Sequence, residues 1–142
     1  MDFDDPDMYD RVVKNSNVVI NLVGPRLKVK DRDEFEYINI KIAKRIAEAC
    51  KRNDKIVRLI HFSSAGAKAD AESQDFATKY IGEQEVLDIF PNATIFRPTV
   101  IYGSNDYYVQ TWRTFQEFWF NKVVVTDDCT AQKQPILVHD VA

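Results

Sequence analysis

Val18–Val19–Ile20–Asn21–Leu22–Val23–Gly24, VVINLVG at 18–24, is apolar on both faces except at Asn21. An alternating strand would show one polar face. A strand apolar on both sides belongs in a parallel sheet covered by helices. Two further runs are strand-like, RLIHFSS at 58–64 and TIFRPTVIYG at 94–103. Helix-like segments separate the three, so the chain reads strand–helix–strand–helix–strand, a pattern that implies parallel crossovers.

Working outward from 18–24, Pro6 suits the first turn of a short helix through about Lys14, with Asp4 or Asp5 as its cap. Residues 25–34 (PRLKVKDRDE) read as a charged loop. From Phe35 to Arg52, Ile38, Ile42, Ile46 and Ala49 recur at helical spacing, flanked by Ala43, Ala47 and Cys50, and predict an amphipathic helix. Ser73 to Asp88 predicts another, with Phe76, Ile81, Val86 and Leu87 as core contacts. The third strand is expected over Thr94 to Ile101. Residues 107–121 carry an aromatic helical stripe. Val123–Val125 and Ile136–Val138 are short strand candidates, and Asp140 is placed as the cap of a following helix.

Composition narrows the function classes. The chain has 142 residues, 45% of them hydrophobic, which suits a folded core. A net charge of −3 supplies no basic field, so nucleic acid is not expected as a partner. No apolar run reaches the roughly 18 residues of a membrane span. The acidic start, MDFDDPDMYD, lacks the character of a targeting peptide. Cys50 and Cys129 have no C-x-x-C spacing and read as inert thiols of a reducing compartment. His61 and His139 lack metal-ligand spacing, and no metal is expected.

In an open α/β sheet, ligands bind at the carboxyl ends of the strands. Here that edge gathers Asn21 to Gly24, Ser63 and Ser64, and Pro98 to Gly103. The glycines that cradle a pyrophosphate are missing: Gly24, Gly66, Gly82 and Gly103 form no G-x-G-x-x-G window.

Taken together, these segments resemble the short-chain dehydrogenase/reductase superfamily in its extended and atypical branches. VVINLVG is similar to that superfamily's fourth strand, V-x-N-x-x-G. Asn39 in YINIKIAKRIAEAC sits where it has an Asn at the start of the next helix. IHFSSAGA matches the fifth strand and its serine turn, and FATKYIGEQEV the helix with a Lys three residues before Gly-Glu. FRPTVIYG and QPILVHDVA match two later segments. The resemblance covers residues 18 to 142 and implies an α/β chain with part of a Rossmann-like doubly wound parallel sheet. The part is strands four onward, lacking the N-terminal glycine-rich βαβ unit. Residues 1–142 would be the C-terminal part of one NAD(P)-binding domain. Within the superfamily the chain is most similar to the dehydrogenase-like accessory subunits of mitochondrial complex I, and less so to isoflavone-reductase-like and NmrA-like proteins.

The superfamily's chemistry uses a Tyr-x-x-x-Lys pair and a Ser, the phenol acting as acid or base beside the nicotinamide. Lys79 fits the Lys position and Ser64 the Ser position, but Asp75 stands where the Tyr belongs. A carboxylate ordinarily ionises at about pH 4 and has no proton to give near neutrality. The resemblance therefore implies no catalytic residue, a degenerate Tyr position at Asp75, and residual Ser64 and Lys79. It implies nucleotide contacts from Asn21, Leu22, Gly24, Asn39, Ser63, Ser64, Lys79, Pro98, Thr99, Val100 and Ile101. Bland readings stand beside these. Asn21 also suits backbone satisfaction at a strand end, Ser63 and Ser64 an ordinary turn, and Lys79 a solvated helix face.

The expected role is a non-catalytic structural subunit of respiratory complex I, peripheral on the matrix side of the mitochondrial inner membrane. It would hold NADP(H) in preference to NAD(H) once completed by an N-terminal part. The expected partners are other complex I subunits and a complementing segment or chain pairing with strand 18–23, whose apolar edge would otherwise stand open. An active NAD(P)-dependent reductase or epimerase, or an NmrA-like redox sensor, is the alternative.

Overall fold

Three parallel strands form the sheet of the larger unit, Met1–Arg97, in the order β1 (Val18–Asn21), β2 (Arg58–Phe62), β3 (Thr94–Phe96). The computed structural model describes residues 3–25, 31–104, 106–118, 130 and 132–142. The α/β class and the parallel order agree with the sequence reading.

Helix α1 (Pro6–Val13) opens with proline in its first turn. Its cap is Asp5, whose carboxylate accepts from the Asp7 amide at 3.0 Å. The next helical stretch departs from expectation. Residues 32–34 are not loop, because Asp31 caps α2 (Arg32–Glu36) by accepting from the Asp33 amide. The chain then widens into a π-helical turn, Tyr37–Ile42, before resuming as α3 (Ala43–Arg52). The apolar spacing of four, Ile38, Ile42 and Ile46, fits an α-turn and a π-turn alike, so periodicity does not report the π-turn.

Helix α4 (Gln74–Ile89) follows β2. Val86 is buried as expected, whereas Ile81 is 43% exposed and belongs to the outer face. Gly82 carries the packing instead. A Cβ there would lie 2.1 Å from the carbonyl oxygen of Asn39, so α4 and the π-turn meet backbone to backbone. Ile42, Ala43, Ala47, Ala49 and Cys50 form the core with Leu59 and Val86. Burial raises the Cys50 thiol pKa to about 11, which makes it inert.

Register divides the sheet into two unlike faces. Asn21 pairs with His61 and His61 with Ile95, so these share the buried face with Leu59. Ile20, Ile60, Phe62 and Phe96 share the other, where Phe62 and Phe96 stack with centroids 5.3 Å apart. That second face is open: Ile20 is 56%, Leu22 68% and Phe96 44% exposed. Strand β1 is an edge of the sheet, and beside it lies an apolar cleft of about 170 Å³ lined by Met8, Val12, Val13, Val19 and Ile46 among others.

The smaller unit, Pro98–Ala142, holds β4 (Ile101–Tyr102), α5 (Tyr107–Phe118), β5 (Ile136–Leu137) and α6 (Val138–Val141), with β4 and β5 parallel. The expected third strand is thus not continuous to Ile101. It stops at Phe96, because Pro98 has no amide to donate to a ladder. Val138 is helical rather than strand, and Asp140 lies inside α6, whose N-cap is Leu137. The strand expected at 123–125, residues 119–121 of the aromatic stripe and Cys129 lie outside the described residues. Among the described residues no helix is long and apolar enough to cross a membrane.

Gly82→Ala is expected to cost about 1–3 kcal/mol, because the contact is backbone on backbone. Urea denaturation checks it. An unchanged midpoint would mean that α4 and the π-turn can separate without loss.

Candidate functional site

The buried polar side chains of the larger unit lie on the π-turn, on α4 and at two strand ends. Asn39, delivered by the π-turn, is 5% exposed. Its amide nitrogen donates to the Asp75 carboxylate and to Thr78 Oγ1, each at 2.9 Å. The other carboxylate oxygen of Asp75 accepts from Lys79 Nζ at 2.8 Å, with both side chains mostly enclosed. Thr78 Oγ1 in turn donates to the Gln74 carbonyl at 2.8 Å. Asn39, Asp75, Thr78 and Lys79 therefore make one network, built because i, i+3 and i, i+4 positions of α4 share a face.

Asp75 thus does something a phenol could not. It takes one hydrogen bond from Asn39 and one from Lys79, and it carries a charge that matches the ammonium. What the arrangement can do is hold Lys79 in one place, with two of its three N–H groups left for another acceptor.

One turn further along α4 is Glu83, 1% exposed. Arg97, just beyond β3, donates to it from Nε at 2.9 Å and also from Nη2. This bidentate pair ties α4 to the end of the sheet. Sequence reasoning passed over Arg97 and Glu83 as parts of two separate motifs. A Glu on the inner face of an amphipathic helix, with an Arg directly after a strand, was the available signal.

At the strand ends, Asn21 and His61 are each 4% exposed and meet through Asn21 Nδ2 and His61 Nδ1 at 2.9 Å. Asn21 Oδ1 accepts from the Val23 amide at 3.0 Å, so its backbone-satisfying role is present. Burial lowers the His61 pKa from its ordinary 6.5, with Glu83 opposing and Lys79 assisting. Ser63 is buried and donates its amide to the Phe96 carbonyl at 2.7 Å, but its hydroxyl has no partner. Ser64 Oγ accepts from the Gly66 amide at 3.4 Å, a serine turn. Leu22 and Gly24 are exposed, and nothing lies within 4 Å of where a Gly24 Cβ would be.

Asn39 and Lys79 are brought together, as are Asn21, Ser63 and Ser64 along adjacent strand ends. Pro98, Thr99, Val100 and Ile101 belong to the smaller unit, where Val100 accepts from the Ile136 amide at 2.9 Å.

The model of the NAD dependent epimerase/dehydratase family matches residues 1–115. The chain belongs to that family. It is 35% identical over 139 residues to "NADH dehydrogenase (ubiquinone) 1 alpha subcomplex subunit 9, mitochondrial" of Mus musculus, covering 97% of this chain and 36% of that one. It is 41% identical over 130 residues to "NADH-ubiquinone oxidoreductase 40 kDa subunit, mitochondrial" of Neurospora crassa, covering 91% and 32%. The chain thus spans about a third of the length of the curated relatives it matches. The fold of Bordetella bronchiseptica WbmG, solved in complex with NAD and UDP, superposes with a TM-score of 0.80 at 13% identity, over 99% of this chain and 49% of that one.

Removing Arg97 would strand a buried carboxylate. Arg97→Ala is expected to cost about 3 kcal/mol, at the low end for a buried pair because the guanidinium is half-exposed. Replacing both partners with Leu should recover part of that loss in the same denaturation assay.

Proposed function

We propose that this chain is a non-catalytic, nucleotide-holding part of an accessory subunit of respiratory complex I, peripheral on the matrix side of the inner membrane. The observation that carries the non-catalytic reading is the lock formed by Asp75, Lys79 and Asn39. In a family whose hydride chemistry needs a protonated phenol, this chain has a carboxylate already committed to an ammonium and an amide. The complex I reading draws on the two mitochondrial relatives, which match along nearly the whole chain.

The residues present fit a nicotinamide dinucleotide. Lys79 is fixed with donors to spare, the buried Ser63 hydroxyl lacks a partner, and the backbone at Gly24 is unobstructed. Asn21, Leu22 and Gly24 would line the adenosine side, and Asn39 would act through Asp75 to orient Lys79 towards a ribose. Ser63 and Ser64 would line the nicotinamide side. The ligand proposed is NADP(H) in preference to NAD(H). When bound, the cofactor would supply redox-active nicotinamide; with no acid beside it, these residues bind and orient only.

The open edge of β1 is the other half of the proposal. Val18 and Ile20 present apolar side chains on a strand paired along one side only, and a complementing segment or chain would pair along the other.

Native mass spectrometry after gentle affinity capture from mitochondria is expected to find complex I subunits and a retained nicotinamide nucleotide. Recovery with unrelated soluble proteins alone would overturn the assembly reading. Lys79→Ala is expected to reduce nucleotide retention at least several-fold without unfolding. Conversely, carbonyl-dependent oxidation of NADPH by the wild type, lost in Lys79→Ala, would establish an active reductase and sink the non-catalytic reading. Ile20→Lys on the open face tests the edge: capture of the complementing partner should fall sharply while the melting curve hardly moves.

A further inference from the structure

The contact between Asn21 and His61 has only one chemically consistent arrangement. The Val23 amide is a donor and nothing else, so the Asn21 atom facing it at 3.0 Å is the carbonyl oxygen. The Asn21 atom facing His61 is then the amide nitrogen, also a donor. Nδ1 of His61 must therefore accept. That requires the neutral ring with its proton on Nε2.

We propose that His61 is a positioning residue that, through Asn21, fixes the turn Leu22–Val23–Gly24 at the end of β1, and that only the neutral ring does so. This inference rests on the nucleotide reading for its functional consequence, since that turn is the candidate adenosine-side contact. The relay itself rests on geometry alone.

Protonating His61 puts N–H groups on both ring nitrogens. Nδ1–H then faces the NH2 of Asn21, donor against donor. The amide can meet it only by turning over, which withdraws the oxygen from the Val23 amide and leaves that amide facing NH2. One proton taken up on the second strand thus releases backbone on the first. Both residues are 4% exposed, so water does not readily replace the lost bond.

The surroundings set the direction of the response. From α4, Glu83 favours the charged ring and Lys79 opposes it, while Arg97 holds Glu83 in an ion pair. From β1 the ring meets Asn21, and in register on β3 lies Ile95, which carries no charge. Burial is the largest influence and favours the neutral ring. His61 therefore titrates below 6.5 in the folded chain. Its contribution is fully present above that value and is lost as pH falls towards the folded one.

The test is a fluorescence titration of the full chain with NADPH and, separately, NADH, from mildly alkaline to mildly acidic buffer. The wild-type dissociation constant is expected to rise by up to about tenfold per pH unit once His61 begins to charge. His61→Asn keeps an acceptor near Nδ1 and cannot titrate, so, whatever its affinity at neutral pH, that affinity should not fall in acid. An acid response unchanged in His61→Asn, or a flat wild-type profile, overturns the proposal. If His61→Asn fails to fold, nitrogen NMR of the wild-type ring decides. A proton on Nε2 at neutral pH, with the Val23 amide resonance titrating together with the ring, supports the relay. A proton on Nδ1, or a Val23 resonance indifferent to the ring, overturns it. If neither nucleotide binds at any pH, the nucleotide reading fails, and the same NMR measurement still decides the relay.

Discussion

Where Gly82 meets the carbonyl oxygen of Asn39, two helical segments touch with no side chain between them, and much of the larger unit follows from that contact. It sets the distance from the π-turn to α4. At that distance the Asn39 amide reaches both Asp75 and Thr78, and Asp75 reaches Lys79. On the neighbouring position Glu83 turns inward to Arg97, which anchors the helix to the sheet. A larger residue at Gly82 would loosen these contacts together, because they are fixed to one rigid helix. Backbone proximity and the polar network occur together, and neither fits without the other.

The substitution at Asp75 acquires a different meaning in this setting. Read as a departure from a motif, it is the loss of an acid. Read as geometry, it is the gain of an anionic acceptor between an amide and an ammonium. A tyrosine in its place would offer one oxygen where the carboxylate offers two. The carboxylate binds Asn39 and Lys79 at once, and so ties the π-turn to α4.

Much of this was legible in the sequence, and the parts that were not have physical explanations. The strands were found because apolar runs such as VVINLVG have few other stable uses, and α1 because Pro6 and Asp5 sit in capping positions. The break after Phe96 was missed although Pro98 marks it, because the apolar pattern runs on to Ile101 across the proline. The π-turn was invisible because hydrophobic periodicity does not resolve one extra residue per turn. Ile81 was misplaced because α4 buries Gly82 and Glu83, two residues that hydropathy assigns to solvent. At the site, Asn39, Asp75, Lys79 and Ser63 came from motif positions, but Thr78 did not, and the bonds that join Asp75 to Asn39 and Lys79 were not foreseen. Nothing along the chain says that Asn21 faces His61, forty residues away; parallel register alone brings them together.

The open sheet face has a consequence beyond structure. Ile20, Leu22 and Phe96 present the kind of surface that molecular chaperones hold and that quality-control proteases sample. An apolar face of this kind gains free energy from any apolar surface laid against it, at about 25 cal/mol per Å² removed from water.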